Sequence, residues 1–139
     1  MELGRFILKT GFVNGCFDIL HVGHIRMLKF AKSQCDYLTV GIDSDSRVKE
    51  LKGSTRPFNS HEDRKEMLLA LRDVDDVFIF DSSQELIDLI KTASPDIMIV
   101  GSDYKDKEVI GAEYARQLFF FERVRGYSTS RVTQSIGNR

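Results

Sequence analysis

Short apolar runs recur along this chain at intervals that leave room for helices between them. The runs at residues 10–14, 37–42 (YLTVGI), 76–80 (DVFIF), 96–101 (DIMIVG) and 118–123 (LFFFER) read as strands, and four of the five are nearly continuous in apolar residues. That is the pattern of strands covered on both faces, not of a sheet with one face in water. Between the runs the period changes. Met27, Leu28, Ala31 and Cys35 share one face of a helix after His24, and Met67, Leu68 and Leu71 repeat the spacing after Ser60. Residues 83–93 make a further helix, stopped by Pro95. Strands alternating with helices predict βαβ units, hence an α/β, Rossmann-like single domain with a five-stranded, mainly parallel sheet and helices on both faces. Residues 111–117 and the stretch from Ser128 carry fainter helical patterns, the latter with Ser128, Thr129 and Ser130 as N-caps.

The longest polar connection, residues 43–60, is long enough to carry function. In an open parallel sheet the ligand crevice lies beyond the C-terminal strand ends. The segments starting at Asn14, Asp43, Gly101 and Arg123 are therefore expected to converge there.

Composition narrows the classes. With 139 residues, 42% of them apolar, one domain spanning 1–139 is expected, and global disorder is excluded. Twenty basic against 21 acidic side chains leave a net charge of −1, which supplies no general attraction for nucleic acid or acidic membranes. The two cysteines, Cys16 and Cys35, form neither a disulfide framework nor a zinc signature and fit a reducing compartment. Residues 1–10 lack the apolar run and cleavage site of a signal peptide, and no segment has the roughly 20 apolar residues of a spanning helix. A soluble cytoplasmic protein is expected.

The chemistry concentrates in Gly15-Cys-Phe-Asp-Ile-Leu-His21-Val-Gly-His24, which leaves the first strand and opens the first helix. Unpaired N–H groups at a helix start favour an anion, and two histidines at i and i+3 add side-chain donors for a phosphate. Gly23 lets a bulky phosphate approach the backbone. A single histidine at a helix start would ordinarily be a cap; two of them flanked by glycines at a strand-to-helix junction argue for more. The i, i+4 spacing and glutamate of the HExxH metal motif are missing, as are the dinucleotide GxGxxG and Walker GxxxxGK[ST] loops. A metal site, hydride transfer and P-loop hydrolysis therefore lack their anchors.

GCFDILHVGH resembles the HxGH signature of the nucleotidyltransferase superfamily, in its cytidylyltransferase-like family. Residues 123–130, Arg-Val-Arg-Gly-Tyr-Ser-Thr-Ser, are similar to the family's late R-x-x-G-x-S-T-[ST] motif, and His61-Glu-Asp-Arg64 to its basic helix before the third strand. The spacing of Leu51-Lys-Gly-Ser-Thr-Arg-Pro57, of Gly101-Ser-Asp-Tyr104 and of Glu108-Val-Ile-Gly111 looks closest to the heptose-1-phosphate adenylyltransferase group, with the glycerol-3-phosphate cytidylyltransferase group next. Cys16 stands where many relatives carry Thr, and Ser102 replaces a common Gly.

The resemblance implies attack of a substrate phosphate oxygen on the α-phosphate of a nucleoside triphosphate, ATP favoured, with release of pyrophosphate. The nucleophile is already an anion, so the protein positions the reactants and neutralises charge without a general base. By motif match His21, His24, Lys52 and Arg123 are the catalytic residues. Gly15, Cys16, Phe17, Asp18, Gly23, Gly101, Asp103, Ser128, Thr129 and Ser130 bind the nucleotide, and Lys49 and Arg64 the acceptor. Lys49 competes with Lys52 for the catalytic role, and Asp18 would look the same as a turn-forming Asx residue. Mg²⁺ is expected on the triphosphate and not in a protein cage. A phosphorylated small-molecule acceptor and a homodimer are implied; nucleic-acid and membrane partners are not. The alternatives are CTP with glycerol 3-phosphate, an FAD-forming enzyme, or a nucleotide-binding sensor without turnover.

Overall fold

The computed structural model describes residues 8–102 and 107–122. Five strands, β1 (Thr10–Gly15), β2 (Tyr37–Asp43), β3 (Asp76–Phe80), β4 (Ile97–Gly101) and β5 (Gln117–Phe121), form one sheet in the order β3-β2-β1-β4-β5. Every pairing is parallel. Helices α1 (Val22–Ser33), α2 (Asp45–Lys52), α3 (His61–Leu69) and α4 (Ser83–Ala93) fill the crossovers. The connection from β4 to β5 contains a 3-10 turn, Ala112–Tyr114.

Alternation along the central strands divides the core in two. Ile97 and Ile99 of β4 join Val13, Val40, Leu28, Ala31 and Leu68 on the face covered by α1 and α3. Met98 and Val100 point the other way, to Phe12, Phe80, Leu86 and Ile90 on the face covered by α4. Strands buried on both sides need apolar residues at successive positions, which is why these runs are continuous. Helices thus lie on both faces, as expected, and the sheet is wholly parallel.

The helix starts follow from local chemistry. Ser44 Oγ accepts from Arg47 N at 3.2 Å, Ser60 Oγ from Asp63 N at 3.2 Å and Ser82 Oγ from Glu85 N at 3.1 Å, each satisfying a donor that the first turn leaves without an intrahelical partner. α4 closes on Ser94 in the left-handed region, with φ 43°, just before Pro95.

Three expectations change. The polar connection 43–60 contains α2, which buries only Val48 and so shows no apolar period; its Ser44 cap is the signal that was available. Residues 111–117 do not form a helix, because β5 already begins at Gln117. The Phe119-Phe120-Phe121 run is a strand, but an edge strand with Phe119 still 38% exposed, not a fully buried one. The helix expected from Ser128 lies outside the described residues.

Candidate functional site

The sheet order reverses at β1, whose two neighbours are β2 and β4. At such a switch point the connections leave in opposite directions and open a crevice. A pocket of about 420 Å³ occupies it, with a floor from Asn14, Gly15, Ile99, Val100 and Gly101. α1 contributes Gly23, His24 and Met27, α2 contributes Arg47, Leu51 and Lys52, and the approach to β5 contributes Glu108, Val109 and Ile110.

His21 is the N-cap of α1, with extended backbone (φ −135°, ψ 174°). Its Nδ1 accepts from Gly23 N at 3.1 Å, while His24 Nδ1 accepts from His21 N at 3.3 Å. This is a capping box made of two imidazoles. The rings stack with centroids 3.8 Å apart at 22°, and Phe17 lies against His24 at 5.1 Å. With each Nδ1 lone pair engaged by a backbone N–H, the neutral rings carry their protons on Nε2. Capping therefore fixes both the orientation and the tautomer of two rings that line the pocket, the Nε2 of His21 being itself buried.

The turn that delivers them is strained. Phe17 sits at φ 50° and is 3% exposed, a conformation that bulky side chains rarely adopt and that persists when the surroundings over-determine it. Asp18, next in the chain, is one of those surroundings. Its Oδ2 accepts from Phe58 N at 2.7 Å and its Oδ1 from Asn59 N at 2.8 Å, while Asn59 Nδ2 donates to Asp18 O at 2.9 Å.

Cys16 lines the pocket, and burial pushes its thiol above the ordinary range, against the lowering influence of Lys52 and Arg64. Lys52 stands in the last turn of α2, exposed at the pocket; the helix ends there because Gly53 takes φ 105°. Lys49 lies one turn earlier on the exposed surface and does not line the pocket. Asp43 and Arg47 both face the pocket and pair with each other, Arg47 Nε to Asp43 Oδ1 at 2.8 Å. Arg47 is further held by Ser83 Oγ at 3.1 Å and lies 5.4 Å from the Phe80 ring centre.

Of the residues singled out from sequence, Gly15, Cys16, Phe17, His21, Gly23, His24, Lys52 and Gly101 come together around the pocket. Asp18 and Arg64 do not line it. Arg64, expected at the acceptor, has no exposed surface; its guanidinium is occupied by three backbone carbonyls and Asp45, behind the pocket wall. Arg123, Asp103, Ser128, Thr129 and Ser130 lie outside the described residues. Asp43 enters the sequence reading only as the start of a segment expected at the crevice, Glu108 only within a motif spacing and Arg47 not at all, although the position of Arg47 four residues after Asp43 was a usable signal. Asp45, His61 and Glu62 bring ligand atoms within 4.8 Å of one another, but Arg64 already holds Asp45 Oδ1 at 2.9 Å. A cation there would meet a guanidinium.

A crevice at the switch point of a parallel sheet, with two capped imidazoles at a helix N-terminus, defines a Rossmann-like α/β domain. The chain belongs to the Cytidylyltransferase-like family, whose model matches residues 12–134, and it is by class a nucleotidyltransferase. Bifunctional protein HldE of Campylobacter fetus subsp. fetus is 50% identical over 125 residues, covering 90% of this chain and 27% of that protein. The protein of the same name from Helicobacter pylori is 45% identical over 128 residues, covering 92% and 27%. The chain thus spans about a quarter of the length of these curated relatives. Among solved structures, a lipopolysaccharide core biosynthesis protein from Thermoplasma volcanium superposes with a TM-score of 0.68 at 24% identity, covering 82% of this chain and 97% of that one. A pantoate-beta-alanine ligase from Francisella tularensis gives 0.59 at 20% identity, covering 85% and 60%. Both share the fold. Among the described residues no helix is long and apolar enough to cross a membrane.

Proposed function

We propose that this domain transfers a nucleoside monophosphate from a nucleoside triphosphate, ATP by preference, to a sugar phosphate such as heptose 1-phosphate. The acceptor's phosphate oxygen bonds to the α-phosphorus as the bond to the β-phosphate oxygen breaks, and pyrophosphate leaves. The observation that carries the reading is the imidazole pair at the start of α1, whose Nδ1 atoms are engaged in the cap and whose rings line the pocket. Imidazole N–H groups favour the charge that builds on a triphosphate during transfer, and rings held beforehand need no reorganisation. Lys52 adds an exposed cation to the pocket lining from the end of α2. By the family resemblance, Arg123, Ser128 and Thr129 take the β- and γ-phosphates, and Mg²⁺ arrives on the triphosphate. A cytoplasmic homodimer belongs to the same reading.

The choice of heptose 1-phosphate rests on the motif spacings around Lys52, Gly101 and Glu108 and on identities of up to 50% to proteins named HldE. The family's description as Cytidylyltransferase-like favours a second reading with CTP as donor, for which glycerol 3-phosphate is the acceptor that the sequence resemblance suggests. Pyrophosphate release is measured with ATP and CTP separately, each with either acceptor. ATP turnover with the sugar phosphate is expected, and His24→Ala should lower kcat by about 10²- to 10³-fold, the usual loss for one preorganised donor. Turnover only with CTP and glycerol phosphate would transfer the site to the second reading. No turnover in any pair, with nucleotide binding intact, would refute both.

A further inference from the structure

Arg64 is a charged side chain with no exposed surface. A guanidinium in that position is tolerated only when its donors find acceptors. Nε donates to Asn59 O at 3.0 Å, Nη1 to Cys16 O at 2.9 Å and to Asp43 O at 2.8 Å, and Nη2 to Asp45 Oδ1 at 2.9 Å. The two carbonyls on Nη1 matter most. Cys16 starts the turn that leads to His21 and His24; Asp43 ends β2, just before the helix that ends in Lys52. The ladder between β1 and β2 stops at Gly15↔Ile42. One residue past that last rung, a single planar group bridges the departing chains.

We propose that Arg64 is a positioning residue for nucleotidyl transfer, setting the separation between the imidazole pair and Lys52 across the pocket by tying the Cys16 carbonyl to the Asp43 carbonyl. The inference rests on the function proposed above and deepens it. It assigns Arg64 no contact with substrate. A lysine would keep the charge but not the geometry, because one ammonium cannot reach acceptors spread around a guanidinium fork.

Three variants test it. Arg64→Lys preserves charge, Asp45→Asn weakens one arm of the brace, and Arg64→Ala is assayed with and without millimolar guanidinium. Folding is checked by circular dichroism, and Asp45→Asn keeps the test open if the Arg64 variants do not fold. For folded Arg64→Lys, kcat is expected to fall by about 10- to 100-fold, the scale of a misplacement near 1 Å, with both KM values within about threefold of the parent. Guanidinium should restore kcat in Arg64→Ala without altering KM. A second readout needs no turnover: alkylation of Cys16 should accelerate several-fold in Arg64→Lys, with Cys35 as the unchanged internal reference. A large rise in one KM at constant kcat would mean direct substrate contact and overturn the proposal, as would unchanged kcat in folded variants. If the parent protein turns over no substrate pair, the functional reading fails by itself. The alkylation rates then decide the brace, acceleration supporting it and equality refuting it.

Discussion

Replacing Asp18 by Asn changes two hydrogen bonds and almost no volume. Asp18 is 2% exposed, and its carboxylate accepts from Phe58 N at 2.7 Å and Asn59 N at 2.8 Å. An amide offers one oxygen where the carboxylate offers two. One backbone N–H would keep an acceptor and the other would face an NH₂ group, donor against donor. Bonds to a charged acceptor contribute about 1.5–3 kcal/mol each, and an orphaned donor adds to the loss. Phe58 is 75% exposed, so its segment can lift and partly rehydrate the lost donor, which keeps the orphan's added cost small. The net expectation is about 2–3 kcal/mol. For a domain of this length 1 kcal/mol corresponds to roughly 3–5 °C in Tm, so the midpoint should drop by about 10 °C. Thermal unfolding by circular dichroism gives the shift. Amide hydrogen exchange locates it, since the Phe58 and Asn59 amides should exchange faster while those of β1 and β2 keep their protection. A midpoint within about 2 °C of the parent, with both amides still protected, would refute the assignment of Asp18 as the clamp on this segment.

Two further outcomes follow from the geometry. Gly111 has φ 81°, and a Cβ there would stand 2.5 Å from Ile90 Cδ1, so Gly111→Ala should destabilise by about 2–4 kcal/mol through left-handed strain and overpacking. Ile90→Val removes the atom in conflict. In urea unfolding the double variant should therefore be more stable than the sum of the singles predicts, and simple additivity would remove the steric part of the argument. Burial raises the Cys16 thiol, and a raised pKa means less thiolate at any given pH. Iodoacetamide should thus label Cys16 more slowly than an open thiol at pH 8, with a rate that climbs only at higher pH. Lys52→Met removes a lowering influence and should slow labelling further; fast labelling at neutral pH in the parent would contradict the burial.

How far the sequence carries the fold depends on which residues do the signalling. The continuous apolar runs of β2 and β4 announced buried parallel strands, because both faces of those strands must be covered, whereas the same kind of run in β3 belongs to an edge strand that leaves Phe78 and Ile79 exposed. α2 escaped because it is a polar helix, pinned by a serine cap and one valine. At the site, the histidines could be found from spacing alone, since a helix start fixes where residues i and i+3 go. Asp18 and Arg64 could not be assigned that way. Arg64 looks like a ligand for an anionic substrate, and Asp18 like part of a nucleotide-binding turn, until their partners are known, and those partners lie 48 and 40 residues away, at Cys16 and Phe58. The difference between touching a substrate and holding the wall behind it is tertiary. Arg47 was passed over for the opposite reason: its neighbours in sequence make it one more exposed helix residue, and only the end of β2 turns it toward the pocket.

The sheet order also has a consequence for how the site comes into being. β1 is made first but lies in the middle, and its second neighbour, β4, begins only at Ile97. Thr10 N reaches across 86 residues to the Asp96 carboxylate, and the β1–β4 pairs Gly11↔Ile97 and Phe12↔Met98 sit beside it. The crevice opens beyond the C-terminal ends of those two paired strands, so during synthesis it cannot form until β4 has been made, although the sequence of α1 with its histidines already has been. Closing a loop of that length is a late and entropically costly step, rewarded only when the long-range pairs form. The pocket is therefore completed only by long-range pairing: a nascent or partly unfolded chain carries the imidazoles but has no cleft around them.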